Sequence, residues 1–173
     1  MSRGKNRVMN TAFLLTGGNM GDRAANLALA QQLIGEQCGT VFASSPVFET
    51  AAWGKNDQPA FYNQALGIHT ALSPRQLLRH VLRIEKKMGR VREEKYGPRV
   101  IDIDILLFNQ EVHRYPLLKL PHPELPNRRF ALTPLASIAP EFVHPVLKKT
   151  ISELLELCAD PLPVTQIAAK TAP

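Results

Sequence analysis

Asp102 and Asp104 sit two residues apart in Ile101-Asp102-Ile103-Asp104-Ile105-Leu106-Leu107-Phe108, a run of β-branched and large apolar residues. Such a run reads as a buried strand. Side chains at i and i+2 leave a strand on the same face, so both carboxylates project together while Ile101, Ile103 and Ile105 bury the other face. Like charges this close raise each other's pKa, and a fold tolerates them where a cation or a shared proton lies between. An all-oxygen pair without neighbouring His or Cys favours Mg²⁺ over zinc, and Mg²⁺ leaves most of its positions to water and substrate phosphate. Arg99 precedes the strand on a stiff Gly97-Pro98 turn, and guanidinium is the preferred fork for phosphate. A merely solvated aspartate face fits the isoleucine face and the nearby basic turn less well.

Phe61 and Asn63 form a second pair at strand spacing. A ring beside an amide suits a flat heterocycle: the ring stacks, and the amide offers donor and acceptor. The alternative for Phe61, and for Phe130 further on, is a plain core position. Glu85, Arg90 and Arg92 cluster where a helical pattern gives way to a charged loop, and the alternative for them is a solvated helix end with surface arginines, for Arg90 in particular. Gly17-Gly18-Asn19-Met20-Gly21-Asp22 is neither a Walker A loop nor a dinucleotide fingerprint, so it reads as a structural turn. Isolated histidines are more often structural than functional, and His69, His80, His113 and His144 are read that way.

These groups need a scaffold, and 173 residues provide one domain, expected over 11–160 between a loose segment (1–10) and a tail (161–173). At this size roughly 70% of the unfolded surface is buried on folding. Cys38 and Cys158 lack metal or redox spacing and read as reduced thiols. No stretch approaches the ~20 apolar residues of a membrane span, and no leader pattern follows the basic N-terminus. A cytoplasmic protein without a membrane is expected, with a monomer as the default. A net charge of +6 calls for an anionic partner. The cations are interspersed with acids and lack the aromatic-basic patterning of nucleic-acid modules, so a small polyphosphate fits better than nucleic acid.

Hydrophobic patterning predicts strands near 11–16, 41–50, 61–70 and 101–108, with helices at 22–37 and 73–89. Asp22 and Ser73-Pro74 are the start signals of those helices. Further helices are expected at 130–138 and 151–157. The order βαββαβ reads as an α+β, ferredoxin-like antiparallel sheet with helices packed on one face and a C-terminal helical extension.

The stretch Lys95-x-Gly97-Pro98-Arg99-x-x-Asp102-Ile103-Asp104-Ile105-Leu106 resembles the signature of the 6-hydroxymethyl-7,8-dihydropterin pyrophosphokinases of folate biosynthesis. Agreement runs in order from about Phe13 to about Pro145. The resemblance implies ATP as co-substrate and Mg²⁺, two ions being expected, held by Asp102 and Asp104. It assigns the pterin to Thr50, Ala51, Trp53, Phe61, Asn63 and Phe130. It gives the nucleotide to Glu85, Arg92, Arg99, Ile105, His122 and Arg128, with Arg92, Arg99, Asp102 and Asp104 as the catalytic set. The Pro121-His122 segment followed by Arg128-x-Phe130 completes this pattern. Leu82 departs from it, standing where some members carry a glutamine that reaches adenine. The reaction implied is transfer of pyrophosphate from ATP to the pterin hydroxymethyl group with release of AMP. Its rivals are an RNA-binding module, or another Mg²⁺-dependent phosphotransferase that releases ADP or phosphate.

Overall fold

The computed structural model describes residues 8–52, 57–91 and 97–168. Trp53 and Arg92, two of the expected site residues, and residues 93–96 of the charged loop lie outside the described residues. The chain runs β1 (Asn10–Gly18), α1 (Arg23–Gln37), β2 (Thr40–Ser44), β3 (Phe48–Thr50), β4 (Phe61–Thr70), α2 (Pro74–Lys87) and β5 (Asp102–Phe108). A hairpin of β6 (His113–Tyr115) and β7 (Leu118–Leu120) follows, then a 3₁₀ turn, α3 (Arg129–Ile138), α4 (Ile151–Leu157) and β8 (Val164–Gln166).

The start signals act as anticipated. The Asp22 carboxylate accepts from the Ala25 amide at 3.0 Å. Ser73 and Gln76 exchange hydrogen bonds in a capping box, with Pro74 opening the helix. Each arrangement satisfies amides that the first turn leaves without a helical partner.

The main sheet is antiparallel in the order β5-β1-β4-β3-β8, with β2 also paired to β4. Two details of the strands differ from the sequence reading. The strand expected over 41–50 is split, because Pro46 has no amide to donate and Ser45 turns to β4 instead. The Ser45 amide donates to the Ala65 carbonyl at 2.9 Å, and its hydroxyl accepts from the Ala65 amide at 2.9 Å. Val164–Gln166, expected within a tail, adds an edge strand against β3.

Helices cover both faces of the sheet rather than one. Ala12 and Leu14 of β1 pack with Leu27 and Ile34 of α1 and with Val81 and Ile84 of α2. Phe13 and Leu15 of the same strand pack with Leu132 and Leu135 of α3 and Leu154 of α4. A strand apolar on both faces exposes a large hydrophobic area unless both are covered. Cys38 and Cys158 are buried in these two separate clusters and are unbonded. Among the described residues no helix is long and apolar enough to cross a membrane.

Candidate active site

β5 is an edge strand and carries the carboxylate pair. Ile101, Ile103 and Ile105 are buried against the α1 and α2 side. Asp102 and Asp104 point to the other face, as the two-residue period requires. A register shift opposite Phe13 and Leu14 accommodates the extra residue Leu106, so Leu106 and Leu107 both join the α3 side. The bulge ends the regular alternation just beyond the aspartates.

Two cavities meet at the pair. The first is lined by Leu15, Gly17, Thr50, Ala51, Phe61, Asn63, Arg99, Asp102, Asp104, Arg128 and Phe130. The second is lined by Leu78, Leu82, Glu85 and Arg90 from α2 and its end, by residues 102–105 of β5, by residues 116–119 around the β6–β7 turn, and by His122 and Pro123. Asp102 and Asp104 are the residues common to both.

The first cavity is built from strand ends. β3 and β4 pair Thr50 with Phe61 and Phe48 with Asn63. The Asn63 amide donates to the Thr50 hydroxyl at 3.2 Å, fixing the flat amide on the cavity floor. Gly17 is required opposite it, since a β-carbon there would collide with the Asn63 side chain. Each ring carries an arginine: the Arg99 guanidinium lies 5.5 Å from the Phe61 centroid, and that of Arg128 lies 5.7 Å from Phe130. The floor is therefore amide and ring, and the mouth is cationic.

Asp102 is gripped from two sides. Arg90 donates to its Oδ1 at 2.6 Å and Arg99 to its Oδ2 at 2.8 Å. The same Nη1 of Arg90 donates to Glu85, which is 3% exposed. The Ile103 backbone also acts to lower the Glu85 pKa. Burial and the Asp102 charge push the Glu85 carboxyl above its usual range, against the pull of Arg90. Glu85 thus borders the second cavity while its carboxylate is engaged by Arg90. Burial and the charges of Asp102 and Glu85 raise Asp104 to about 7, with Arg128 and Arg90 opposing. A carboxyl held this far from ionisation is one that a bound cation would ionise.

The donor set suits Mg²⁺. It consists of carboxylate oxygens on one strand face, without thiolate or imidazole. Among the described residues no group of three or more potential protein ligands gathers at one point. Two carboxylates leave the remaining octahedral positions to water and phosphate, which is how Mg²⁺ is usually held.

His122 faces the second cavity from the segment after the cis Leu120-Pro121 bond. Its backbone amide donates to the Leu106 carbonyl at 2.9 Å, anchoring it beside β5. Its Nδ1 accepts from the Glu124 amide at 3.1 Å, which leaves Nε2 to carry the proton. Burial and Arg128 lower its pKa, so the ring is a neutral donor. Ile105 lines the same cavity, and Leu82 adds apolar wall to it.

All twelve described members of the anticipated set border one or both cavities. Two residues were passed over. Arg90, given a surface reading, clasps both Asp102 and Glu85. Asn19, read as part of a structural turn, is 2% exposed and positions Arg99. Its Oδ1 accepts from the Arg99 amide at 2.9 Å, its own amide donates to the Arg99 carbonyl at 3.0 Å, and its Nδ2 donates to Gln58 and to the Pro59 carbonyl, each at 3.1 Å. A buried Asn must satisfy its polar groups, but the chain does not reveal with whom. Of the paired arginines, Arg128 faces the site, whereas Arg129 holds the Asp160 and Cys158 carbonyls at 3.1 and 2.8 Å.

Residues 13–140 match the profile of the family described as 7,8-dihydro-6-hydroxymethylpterin-pyrophosphokinase (HPPK). A 2-amino-4-hydroxy-6-hydroxymethyldihydropteridine pyrophosphokinase of Aquifex aeolicus is 41% identical over 145 residues, covering 84% of this chain and 90% of that protein. The protein of the same name from Methylorubrum extorquens is 45% identical over 136 residues, 78% of this chain and 86% of its own length. The solved structure of a triple mutant of Plasmodium falciparum HPPK-DHPS aligns with a TM-score of 0.71 at 20% identity, over 89% of this chain and 45% of that one. At that identity the likeness speaks for the fold, and the sequence matches carry the family: this chain belongs to the 7,8-dihydro-6-hydroxymethylpterin-pyrophosphokinases.

Proposed function

We propose that this protein transfers pyrophosphate from ATP to the hydroxymethyl group of 6-hydroxymethyl-7,8-dihydropterin, releasing AMP, as a step of folate biosynthesis. The observation that carries the reading is the position of Asp102 and Asp104, which border both cavities at once. The first cavity takes the pterin, on Thr50, Ala51, Phe61, Asn63 and Phe130. The second takes the nucleotide, between Leu78, Leu82 and Ile105 on one side and His122 on the other. Two Mg²⁺ ions at the aspartates would neutralise phosphate charge and orient the triphosphate.

The pterin hydroxyl oxygen attacks the β-phosphorus of ATP. A bond forms between them, the bond from the β-phosphorus to the oxygen bridging the α-phosphate breaks, and AMP leaves with that oxygen while the hydroxyl proton is released. The floor of the first cavity holds the ring with its substituent toward β5. Arg99 and Arg128, at the mouth, stabilise charge on the transferred group. The His122 Nε2–H donates to phosphate or ribose. Positioning and electrostatics supply most of the acceleration in such transfers, so no general base is required among these side chains. Arg92 has a place in the same scheme on sequence grounds. Action as a cytoplasmic monomer on these small-molecule substrates belongs to the proposal too.

Product analysis with Mg²⁺, ATP and the hydroxymethyl pterin, each omitted in turn, tests the reading. AMP forming only when all three are present supports it. ADP as product would replace it with a phosphoryl transferase, and no turnover from folded protein would remove it.

A further inference from the structure

We infer that Arg23, at the first position of α1, is a positioning residue that sets the floor of the first cavity from the far side of the sheet. The inference rests on assigning that cavity to the pterin.

β3 spans only Phe48–Thr50 and meets β4 through three pairs: Phe48 with Asn63, Glu49 with Tyr62, and Thr50 with Phe61. Directly opposed residues share a face, and successive pairs alternate. Thr50, Phe61 and Asn63 line the cavity, Phe48 shares their sheet face, and Glu49 with Tyr62 lies on the opposite, α1 face. A strand this short has little to hold its register, and a slip of one residue would turn Thr50 away from the cavity.

Arg23 grips that middle pair. Its guanidinium carbon lies 3.8 Å from the Tyr62 ring centroid. Its Nη1 donates to Glu49 Oε2 at 3.0 Å and to the Ala60 carbonyl at 2.8 Å. Ala60 immediately precedes Phe61. One guanidinium thus ties together β3, β4 and the residue that launches the stacking ring. Its side chain is 27% exposed and that of Glu49 is 37% exposed, so the ion pair adds little to global stability. The guanidinium carbon sits over the Tyr62 ring while Nη1 donates to both acceptors, and the delocalised cation on the ring is what a lysine ammonium reproduces less well.

The test compares Arg23→Met, Arg23→Lys and Phe61→Ala with the parent. Pterin affinity is measured with an α,β-methylene ATP analogue bound, the analogue's own affinity is measured separately, and kcat and KM are determined. Arg23→Met is expected to weaken pterin binding about tenfold, the scale of losing hydrogen bonds from a charged donor. Analogue affinity stays within about twofold, and KM for the pterin rises with kcat nearly unchanged. Arg23→Lys, which keeps the charge but loses the guanidinium over Tyr62, falls between. If Arg23→Met does not fold, Arg23→Lys and Glu49→Gln carry the same comparison. Parent-like pterin affinity in the Arg23 variants, with Phe61→Ala weakened, overturns the role of Arg23. So does an equal loss of pterin and analogue affinity. Parent-like affinity in Phe61→Ala overturns the cavity assignment itself.

Discussion

Arg90 reaches Asp102 at 2.6 Å and spends the same nitrogen on Glu85. One guanidinium therefore joins the end of α2 to the start of β5 and orients a carboxylate that borders both cavities. Removing one partner of a buried ion pair leaves the other charged and unsatisfied, which costs more than the pair contributes. Arg90→Met is expected to lose roughly 3 kcal/mol of stability on that ground. Adding Glu85→Gln should restore much of it without restoring turnover, because Asp102 is then held by Arg99 alone. Chemical denaturation beside steady-state rates checks this; full activity in the stable double variant would count against the anchoring role.

Asp102→Asn and Asp104→Asn are expected to lower turnover by on the order of a thousandfold while the protein stays folded, since charge stabilisation at a transferring phosphate is lost. Asp104→Asn also relieves a carboxylate pair, so its thermal midpoint should hold or rise, whereas Asp102→Asn weakens the ion pairs with Arg90 and Arg99 and should lower the midpoint modestly. Near-normal Mg²⁺-dependent rates in either variant would move the metal elsewhere.

Asp104 sets a pH dependence. Its carboxyl titrates near 7 in the folded, metal-free protein, against an ordinary 3.8. Between those values the folded state binds more protons than the unfolded chain, so this group's contribution to stability declines as pH rises from about 4 to about 7 and is gone above it. Mg²⁺ binds the ionised form, so its affinity should climb over the same interval. Melting curves at pH 5 to 8, in chelator and in Mg²⁺, should show the metal's stabilising effect growing with pH. Asp104→Asn should flatten both trends.

Phe130→Ala removes one wall of the first cavity. About tenfold weaker pterin binding is expected, from lost stacking and apolar area, with little change in ATP affinity. Isothermal titration of each substrate separates the two effects.

The neutral His122 ring offers its Nε2–H to the second cavity, its Nδ1 being held by Glu124. His122→Ala should weaken ATP binding about tenfold by loss of one donor, with pterin affinity unchanged. Because burial and Arg128 hold the ring below its usual pKa, that contribution should be flat from pH 7 to 8.

Much of the site was legible in the chain because its determinants are local. The period of a strand puts Asp102 and Asp104 on one face and the isoleucines on the other. Ser73-Pro74 and Asp22 announce helices through backbone groups within one turn. Phe61 and Asn63 pair by the same alternation. The meaning of the spacing Lys95 to Leu106 came from family resemblance, which named the substrates as residue chemistry alone did not.

What tertiary structure decided are the relations between segments far apart in sequence. The chain does not disclose that Arg90 bonds Asp102, that Asn19 holds Arg99 across 80 residues, or that Arg23 grips β3 and β4 from behind. Nor does it show that α3 and α4 cover the second face, or that Val164–Gln166 edges the sheet beside β3. Periodicity records which way a side chain leaves its own backbone. Which distant partner it meets depends on sheet order, strand register and the faces that helices must cover, and these follow from burying apolar area across the whole chain at once.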